Sequence, residues 1–280
     1  MTRNWELLGS NSTYSHVPLE VCLDDLAAMG LTALDFVPQA PHFWCSHTEM
    51  GDAAALRRML EARGLRASVV TPPPYRYSIT ALAGMQRQAT LDYYRRCILL
   101  AASLGADRVV LGAEGACWDL ERDRLLDQAA EQLDRLCPTA AAAGVKLLLM
   151  PVLGPDAPLA AQSPVLGPAE ELMGVIRRVD SPWLGVCLDT NAMSVWGDDI
   201  PGWFARLGAC THLVRLCDGN YHGWRAWGEG CLPMDRYLEQ LEAAGYRGEL
   251  SLLLPGERYV DRPGHPLRQA LAALRTGGRT

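Results

Sequence analysis

An α/β fold made of a single (β/α)8 TIM barrel over residues 1–280 is predicted by three features of the sequence. Eight short apolar segments recur along the chain, and each precedes a segment with apolar residues at helical spacing. The apolar segments lack strict alternation, which is typical of parallel strands buried on both faces. A chain of 280 residues, 49% of them hydrophobic, fits one such barrel, and no change in composition marks a second domain.

A doubly wound open sheet is the alternative architecture for a chain with this order of elements. The sequence has no G-x-G-x-x-G after its first strand and no G-x-x-x-x-G-K-[ST] anywhere. A nucleotide-binding fold therefore has no support, and the barrel is the preferred prediction.

The first half of the chain contains four predicted strands separated by helices. A helix over Leu19–Met29 carries apolar residues at helical spacing and ends at Gly30, a good C-cap. Asp52 can cap a helix that runs through Arg63, and the prolines at 72–74 end the third strand. The strands are Trp5–Gly9, Leu34–Val37, Arg66–Val70 and Asp107–Leu111, and a further helix covers Leu91–Leu104.

The second half repeats the same order of strand and helix. A helix from about Arg124 to Ala143 is expected to be interrupted near Pro138, because proline lacks an N–H and clashes with the preceding turn. A short helix surrounds Trp203. The strands are Val145–Met150, Leu184–Leu188, Leu213–Cys217 and Glu249–Leu254, and the other helices are Pro168–Val179, Met234–Ala244 and Pro266–Leu274.

Charge and cysteine usage restrict the partners and the compartment. A net charge of −6 without a basic cluster argues against nucleic acid, because phosphate binding needs a basic surface. Nine cysteines are scattered without a C-x-x-C pair, so a zinc knuckle is not expected. An odd number of cysteines without a signal peptide favours reduced thiols and a cytoplasmic location. No apolar run approaches the length of a membrane span, so no membrane partner is expected.

The stretch His212–Gly230, HLVRLCDGNYHGWRAWGEG, is the most informative part of the chain. Its apolar strand is interrupted by Arg215, and a buried charge is costly unless it is paired or functional. The loop that follows is dense in polar and aromatic residues. In a barrel of this kind the chemistry lies at the C-terminal ends of the strands. Polar and aromatic side chains at the other predicted strand ends are Ser10, Asn11, His42, Trp44, Tyr75, Tyr77, Glu114, Trp118, Asp189, Asn191 and Glu257.

Aromatic rings beside polar groups suit a carbohydrate-like small molecule, whose C–H faces stack on rings while its hydroxyls need donors and acceptors. Glu114 and His222 are the candidates for acid–base catalysis, and the alternative for both is a solvated loop residue. Trp224 is a candidate for stacking on the ligand, with packing of the loop as the alternative. The full set of candidate substrate-binding residues is Asp189, Arg215, Asp218, Trp118, Trp224 and Arg225.

Several segments resemble the sugar phosphate isomerase/epimerase family, the xylose-isomerase-like barrels: LAAMGLTALDF, ASLGADRVVLG, GVCLDTNAM, HLVRLCDG and WGEGCLPMDRYLEQLEAAGYRGELSLLL. The resemblance covers most of the chain. It implies a barrel that holds a divalent metal, often manganese, through a Glu ending strand five, an Asp ending strand six, a His three residues later, a His in strand seven and a Glu ending strand eight. In such a site the two glutamates also move the proton between neighbouring sugar carbons.

The sequence departs from this implied metal site at four of its five positions. Asp189 is kept, but the other positions are occupied by Met150, Ala192, Arg215 and Leu253. An arginine has no free lone pair, and a thioether is a poor ligand for a hard cation. We therefore expect no metal, no other cofactor and no two-glutamate proton transfer. An ion pair between Asp189 and Arg215 is expected where the metal would be.

Three hypotheses about function follow. The first is a barrel of isomerase/epimerase ancestry that binds a sugar, polyol or glycoside-like ligand without metal, with weak or altered catalysis. The second is a non-catalytic paralogue that acts as a structural or regulatory subunit of a metal-bearing relative. The third is a true isomerase or epimerase that uses other residues, such as Glu114, His222 and Glu257. A homo-oligomer and pairing with a metal-bearing paralogue both remain open as assemblies.

Overall fold

Eight parallel strands close into one barrel. The computed structural model describes residues 5–73, 77–81, 84–114, 116, 120–154, 163–254 and 258–275. The strands in this part of the chain are β1 (Leu7–Ser10), β2 (Ala33–Phe36), β3 (Arg66–Val70), β4 (Arg108–Leu111), β5 (Lys146–Leu149), β6 (Leu184–Asp189), β7 (Thr211–Arg215), β8 (Asp218–Asn220), β9 (Gly223–Arg225) and β10 (Leu250–Ser251). The barrel order is β1-β10-β7-β6-β5-β4-β3-β2, which confirms the predicted TIM barrel.

The barrel strands occur where the sequence predicts them, with shifted ends. β3 has the predicted bounds, whereas β10 is confined to Leu250–Ser251 and β7 ends at Arg215. β7 stops there because the N–H of Cys217 donates to the hydroxyl of Thr190 at 3.0 Å and not to a neighbouring strand. A bond to a side chain satisfies the backbone donor just as a sheet partner would, so the chain is free to leave the barrel.

The helices surround the barrel. They are α1 (Leu19–Ala28), α2 (Ala53–Glu61), α3 (Gly84–Leu104), α4 (Arg122–Ala143), α5 (Ala169–Val179), α6 (Thr190–Val195), α7 (Ile200–Leu207), α8 (Met234–Ala243) and α9 (His265–Arg275). The cap at Asp52 is confirmed, since its carboxylate accepts the N–H of Ala55 at 2.9 Å. The predicted interruption at Pro138 is wrong, because α4 continues through it. A proline removes one helical hydrogen bond, and packing of α4 against α3 and α5 holds the helix together.

Side chains inside the barrel form stacked layers. An apolar layer takes one inward-facing residue from each of seven strands: Leu8, Ala33, Val69, Val110, Leu148, Cys187 and Leu213. Because strand side chains alternate, the residues two positions further on also face the interior, at the C-terminal end. They are mostly polar. The mouth layer, as it is called below, comprises Ser10, Asp35, Thr71, Gly112, Met150, Asp189 and Arg215, together with Ser251 of β10, which pairs in register with Arg215.

The opposite end of the barrel is closed by ion pairs. Glu249 pairs with Arg108 and, at 3.3 Å, with Arg66, and it also accepts the hydroxyl of Ser68 at 2.7 Å. These groups satisfy one another, and polar clusters at the N-terminal face of such a barrel serve stability more than chemistry. The mouth layer, at the other end, is therefore the candidate place for a functional site.

A hairpin covers part of the mouth. β8 and β9 pair antiparallel around a turn at Tyr221 and His222, in a stretch for which the sequence predicted only a loop. The turn ends at Gly223, whose φ of 119° favours glycine. The hairpin and the segment that follows it, residues 218–232, are called the lid loop below.

Candidate ligand-binding site

A buried ion pair lies at the centre of the mouth layer. The guanidinium of Arg215 donates to Asp35 at 3.4 Å and to the hydroxyl of Thr71 at 3.2 Å, and it also contacts the sulfur of Met150. Asp35 in turn accepts the hydroxyls of Thr71 and Ser251 at 2.6 and 2.7 Å. Burial is the largest single influence and lowers the pKa of Arg215, but the charge of Asp35 together with smaller contributions from other neighbouring groups more than offsets it, and the pKa is raised. Arg215 is therefore a fixed cation inside the barrel.

The predicted direct ion pair between Asp189 and Arg215 does not form, because Asp35 takes the guanidinium instead. The Asp189 carboxylate caps α6, accepting the N–H groups of Asn191 and Ala192 at 3.0 and 2.9 Å. Burial raises the pKa of Asp189, while the charge of Arg215 and the capping bonds oppose that rise. The two residues still act on each other through their charges, but the helix start fixes the carboxylate away from the guanidinium.

Trp224 connects the lid loop to this layer. Its indole N–H donates to the Asp189 carboxylate at 3.0 Å, and its ring packs against Leu153 and Ala192. The half-buried indole therefore holds β9 over the mouth, close to where a ligand would lie. This position is compatible with both the stacking role and the packing role considered from the sequence.

Glu114 is buried beside Arg215 and Asp189. It follows β4, and a Cβ at Gly112 would collide with its carboxyl, so the glycine leaves room for the group to fold back. Burial raises the pKa of Glu114 to about 7, its own backbone N–H and the charge of Arg215 oppose this, and the charge of Asp189 adds to it. A carboxyl that titrates near neutrality suits acid–base chemistry.

Several buried polar atoms near the mouth have no hydrogen-bond partner among the described residues. They include Oε2 of Glu114, Nε of Arg215, both amide atoms of Asn191 and the hydroxyl of Tyr94. Burial, followed by the charge of Glu114, raises the pKa of Tyr94 well above its usual value, so this hydroxyl lies near the same carboxyl. Buried polar groups are nearly always paired, so these atoms indicate a place for a ligand or ordered water.

Asp218 organises the lid loop. Its carboxylate accepts four backbone N–H groups, from Gly219 at 2.7 Å, Gly228 at 2.9 Å, and Gly230 and Leu232 at 3.1 Å. Its oxygens are thereby committed to the loop backbone. The geometry gives Asp218 a positioning role for the residues that cover the mouth.

We expect Asp218→Ala to release the lid loop, because four amides lose their acceptor and each buried unpaired group costs about 1–3 kcal/mol. Hydrogen exchange at Gly228, Gly230 and Leu232 should accelerate at least about tenfold, while exchange in the barrel strands stays unchanged. Asp235→Ala, a solvent-exposed aspartate in α8, is the matched control. Unaltered protection of these amides in Asp218→Ala would contradict the assigned role.

A second contact ties the lid loop to α9. Glu229 accepts the hydroxyl of Tyr259 at 2.8 Å and pairs with the ring of His265 at 2.6 Å, and the bond from His265 lowers the pKa of Glu229. The hydroxyl of Tyr259 also accepts the N–H of Ala226 at 2.7 Å. The lid loop is therefore held from two sides, by Asp218 inside it and by Tyr259 and His265 outside it.

The remaining predicted site residues are placed as follows. His222 is exposed at the turn of the hairpin, where its ring lies 4.0 Å from that of Tyr221. Arg225 is half-buried on β9 and donates to the carbonyl of Trp224 at 3.0 Å. Trp118 and Glu257 lie outside the described residues, as does Tyr75. Catalytic or binding roles for His222 and Arg225 remain predictions.

Three residues of the mouth layer were not predicted from the sequence, namely Asp35, Thr71 and Ser251. Asp35 is fully buried inside the apolar segment that became β2. A lone carboxylate in an apolar strand indicates a buried charge that needs a partner, as the lone arginine in β7 does. This pattern could have identified Asp35 as the partner of Arg215. The polar positions at 71 and 251 carry a weaker signal, because a hydroxyl alone is common at a strand end.

Glu114 should make stability depend on pH. Its pKa is raised from 4.5 when unfolded to about 7 when folded, so the folded state holds the proton more tightly. The contribution of Glu114 to the free energy of unfolding is fully present below about pH 4.5. It is lost as the pH rises through about 7, a change of about 3 kcal/mol. The free energy of unfolding is to be measured in urea across this pH range for the protein and for Glu114→Gln. Only the protein with the glutamate should show the additional decrease as the pH rises. Parallel profiles would refute the shifted titration.

The fold and the mouth layer define a class of protein: a (β/α)8 barrel with a polar cluster at the C-terminal ends of its strands, the place where such barrels bind small molecules. A family model described as xylose isomerase-like TIM barrel matches residues 23–277. The chain therefore belongs to the xylose isomerase-like TIM barrel family, as the sequence resemblance indicated. None of the helices in the described residues is both long and apolar enough to span a membrane.

Sugar epimerases are among the similar proteins. Fructoselysine 3-epimerase from Shigella flexneri is 22% identical over 266 residues, which cover 94% of each chain. The structure of L-ribulose 3-epimerase has a TM-score of 0.77 at 19% identity and covers 97% of this chain and 94% of that one. The apo structure of 3-keto-D-glucoside 4-epimerase from E. coli has a TM-score of 0.76 at 16% identity, covering 98% and 100%. At these identities the solved structures establish the shared fold.

Proposed function

We propose that this chain is a sugar epimerase/isomerase-like barrel that binds an uncharged sugar, polyol or glycoside-like ligand in its mouth layer. The site works without a metal ion, and its catalysis is weak or altered relative to that of metal-dependent relatives. The observation that carries the proposal is the group of unpaired buried polar atoms at the mouth, contributed by Glu114, Asn191 and Arg215. A polyol supplies both donors and acceptors and can satisfy all three side chains.

The donor set at the mouth supports the metal-free part of the proposal. Met150, Asp189, Ala192, Arg215 and Leu253 stand at the positions where the family resemblance implies metal ligands, and only the aspartate is a good ligand for a hard cation. The described residues hold no group of three or more His, Cys, Asp or Glu side chains arranged to bind a metal.

The charges of the mouth favour a ligand without an acidic group. Among the described residues of the mouth, three buried carboxyls, Asp35, Asp189 and Glu114, share one buried guanidinium, that of Arg215. Asp35 and Asp189 each accept several hydrogen bonds, whereas one oxygen of Glu114 has no partner among the residues that the structure describes. An anionic ligand would add a further negative charge to a site already short of positive charge, which is costly when buried. Neutral sugars and polyols avoid that penalty.

The same groups could assist proton transfer. A carboxyl with a pKa of about 7 can take a proton from a carbon next to a carbonyl, or give one back, at neutral pH. The guanidinium of Arg215 stabilises the negative charge that develops on the oxygen of the resulting enediolate. In this assignment Glu114 is the acid–base group and Arg215 the electrostatic partner.

A thermal-shift screen combined with metal analysis tests the proposal. The purified protein should contain substoichiometric manganese, zinc and other divalent metals, and chelation should leave its melting temperature unchanged. Neutral ketoses, polyols or glycosides should raise the melting temperature, whereas the matching sugar acids should not. Stoichiometric bound metal would refute the metal-free site. Stabilisation by sugar acids alone would refute the charge argument, and no stabilisation by any carbohydrate would favour the non-catalytic subunit.

A further inference from the structure

Two thiols are in contact outside the mouth layer. The Sγ atoms of Cys45 and Cys97 lie 3.9 Å apart, although the residues are 52 positions apart in the chain. Cys45 belongs to the segment between β2 and α2, and Cys97 lies in the middle of α3. The contact therefore joins a connection at the rim of the barrel to a core helix.

The two thiols differ in accessibility and in acidity. Cys45 is half-buried, whereas Cys97 is completely buried. The bond from the thiol of Cys97 lowers the pKa of Cys45, burial opposes this, and the charge of Arg96 lowers it further. Burial, followed by Cys45 itself, raises the pKa of Cys97 well above its usual value. The accessible thiol is thus the one that ionises first, and ionised thiols are the reactive form.

We propose that Cys45 and Cys97 form a reversible disulfide when the protein meets a peroxide. The thiolate of Cys45 attacks one peroxide oxygen, the O–O bond breaks, and Cys45 becomes a sulfenic acid as hydroxide leaves. The thiol of Cys97 then attacks the Cys45 sulfur, its proton joins the departing hydroxyl, and water leaves as the S–S bond forms. Overall two thiols are oxidised, one hydrogen peroxide is reduced, and two waters are released.

The surrounding contacts allow this closure. A disulfide needs its sulfurs at about 2.05 Å, so they must approach by roughly 2 Å. The Cys45 segment is held on α3 by neighbouring contacts, since Arg96 donates to the carbonyl of His47 at 3.1 Å and the ring of His47 bonds the hydroxyl of Tyr77 at 3.0 Å. The ring of Tyr77 stacks on Tyr93 of α3 at 4.0 Å. The segment already rests on the helix, and a side-chain rotation with a small shift of the loop brings the sulfurs together.

The modification would fix the rim of the barrel. The segment with Cys45 follows the C-terminal end of β2, the strand that carries Asp35 in the mouth layer. In the reduced protein only noncovalent contacts hold it to α3, whereas the disulfide would join the two covalently. Because the cross-link constrains the unfolded chain, the oxidised protein should also melt at a higher temperature, and a reductant should reverse the change.

Titration of the full-length protein with hydrogen peroxide tests the inference. Intact mass should fall by two hydrogens, and peptide mapping without reductant should show a linked pair containing Cys45 and Cys97. Dithiothreitol should restore the original mass. In Cys45→Ser and Cys97→Ala the linked pair should be lost, whereas Cys231→Ser, which removes an exposed thiol elsewhere, should form it as the unmodified protein does.

The variants also distinguish the thiol that reacts with peroxide, Cys45, from the thiol that then forms the disulfide, Cys97. Cys97→Ala should let the Cys45 sulfenic acid persist, so that a dimedone adduct accumulates at Cys45, and Cys45→Ser should leave Cys97 as a thiol. The inference is overturned if peroxide leaves both thiols reduced, if it drives Cys45 to sulfinic acid without a linked pair, or if Cys97 is labelled first. Because the readout is mass, these outcomes do not depend on which ligand the barrel binds.

Discussion

Arg215→Met is expected to lower the free energy of unfolding by about 3–5 kcal/mol, the cost of leaving a buried charge without its partner. Methionine keeps most of the volume but removes the cation beside Asp35, which is completely buried. The hydroxyls of Thr71 and Ser251 still donate to Asp35, but they carry no charge. Urea unfolding at neutral pH measures this loss of stability. The dependence of the free energy of unfolding on urea concentration should be the same for both proteins.

A second substitution tests the pairing itself. Asp35→Asn in the Arg215→Met background should recover a large part of the lost stability, because an amide beside a methionine leaves no unpaired charge. Arg57→Met is the matched control, since Arg57 forms an exposed pair with Glu61 and should cost at most about 0.5 kcal/mol. Additive losses in the double variant would show that Arg215 and Asp35 do not interact, and would then make Asp189 the residue to test.

Glu114→Gln is expected to lower turnover by a factor of about 10² to 10⁴ on any sugar that the protein epimerises or isomerises. Glutamine keeps the shape of the side chain but cannot carry the proton, so binding of the sugar should persist while kcat falls. The activity of the unmodified protein should survive a chelator. Isotope exchange at the carbon next to the carbonyl gives a second measurement that does not depend on product identification.

Two variants serve as comparisons for this result. Glu131→Gln makes the same chemical change on an exposed glutamate of α4 and should leave turnover unaltered. His222→Ala removes the other candidate acid–base residue, which lies exposed at the hairpin turn. If His222→Ala abolished turnover and Glu114→Gln did not, the catalytic assignment made from the mouth layer would be wrong.

Most of the fold could be predicted from the sequence because its signals are local. Apolar segments of strand length, a cap such as Asp52 and stop signals such as Gly30 and the prolines at 72–74 act over a few residues. The missed features depend on distant packing. Pro138 remains inside α4 because neighbouring helices hold it, and the hairpin exists because Asp218 gathers backbone groups from across the lid loop.

The site was predicted in part, and for a definable reason. The candidates Glu114, Asp189, Arg215 and Trp224 follow from the sequence, since each lies within a predicted strand, at its end or in the loop after it. The burial that raises the pKa of Glu114 could not be predicted from the sequence, because an exposed and an enclosed loop glutamate have the same local sequence pattern. Asp218 was identified as polar and near the mouth, but only its four backbone bonds distinguish a loop organiser from a ligand contact.

The sequence by itself determined that the chain folds as a barrel and that an arginine lies within the seventh barrel strand. Strand periodicity and the order of the elements depend on residues that are close in sequence. They determine which side chains can reach the mouth of the barrel. Only the tertiary structure decided what that arginine pairs with. Asp35 lies 180 positions earlier in the chain, and closure of the barrel brings it to Arg215 while the start of α6 holds Asp189. Partner choice depends on three-dimensional proximity, and proximity between distant strands is set by how the barrel closes.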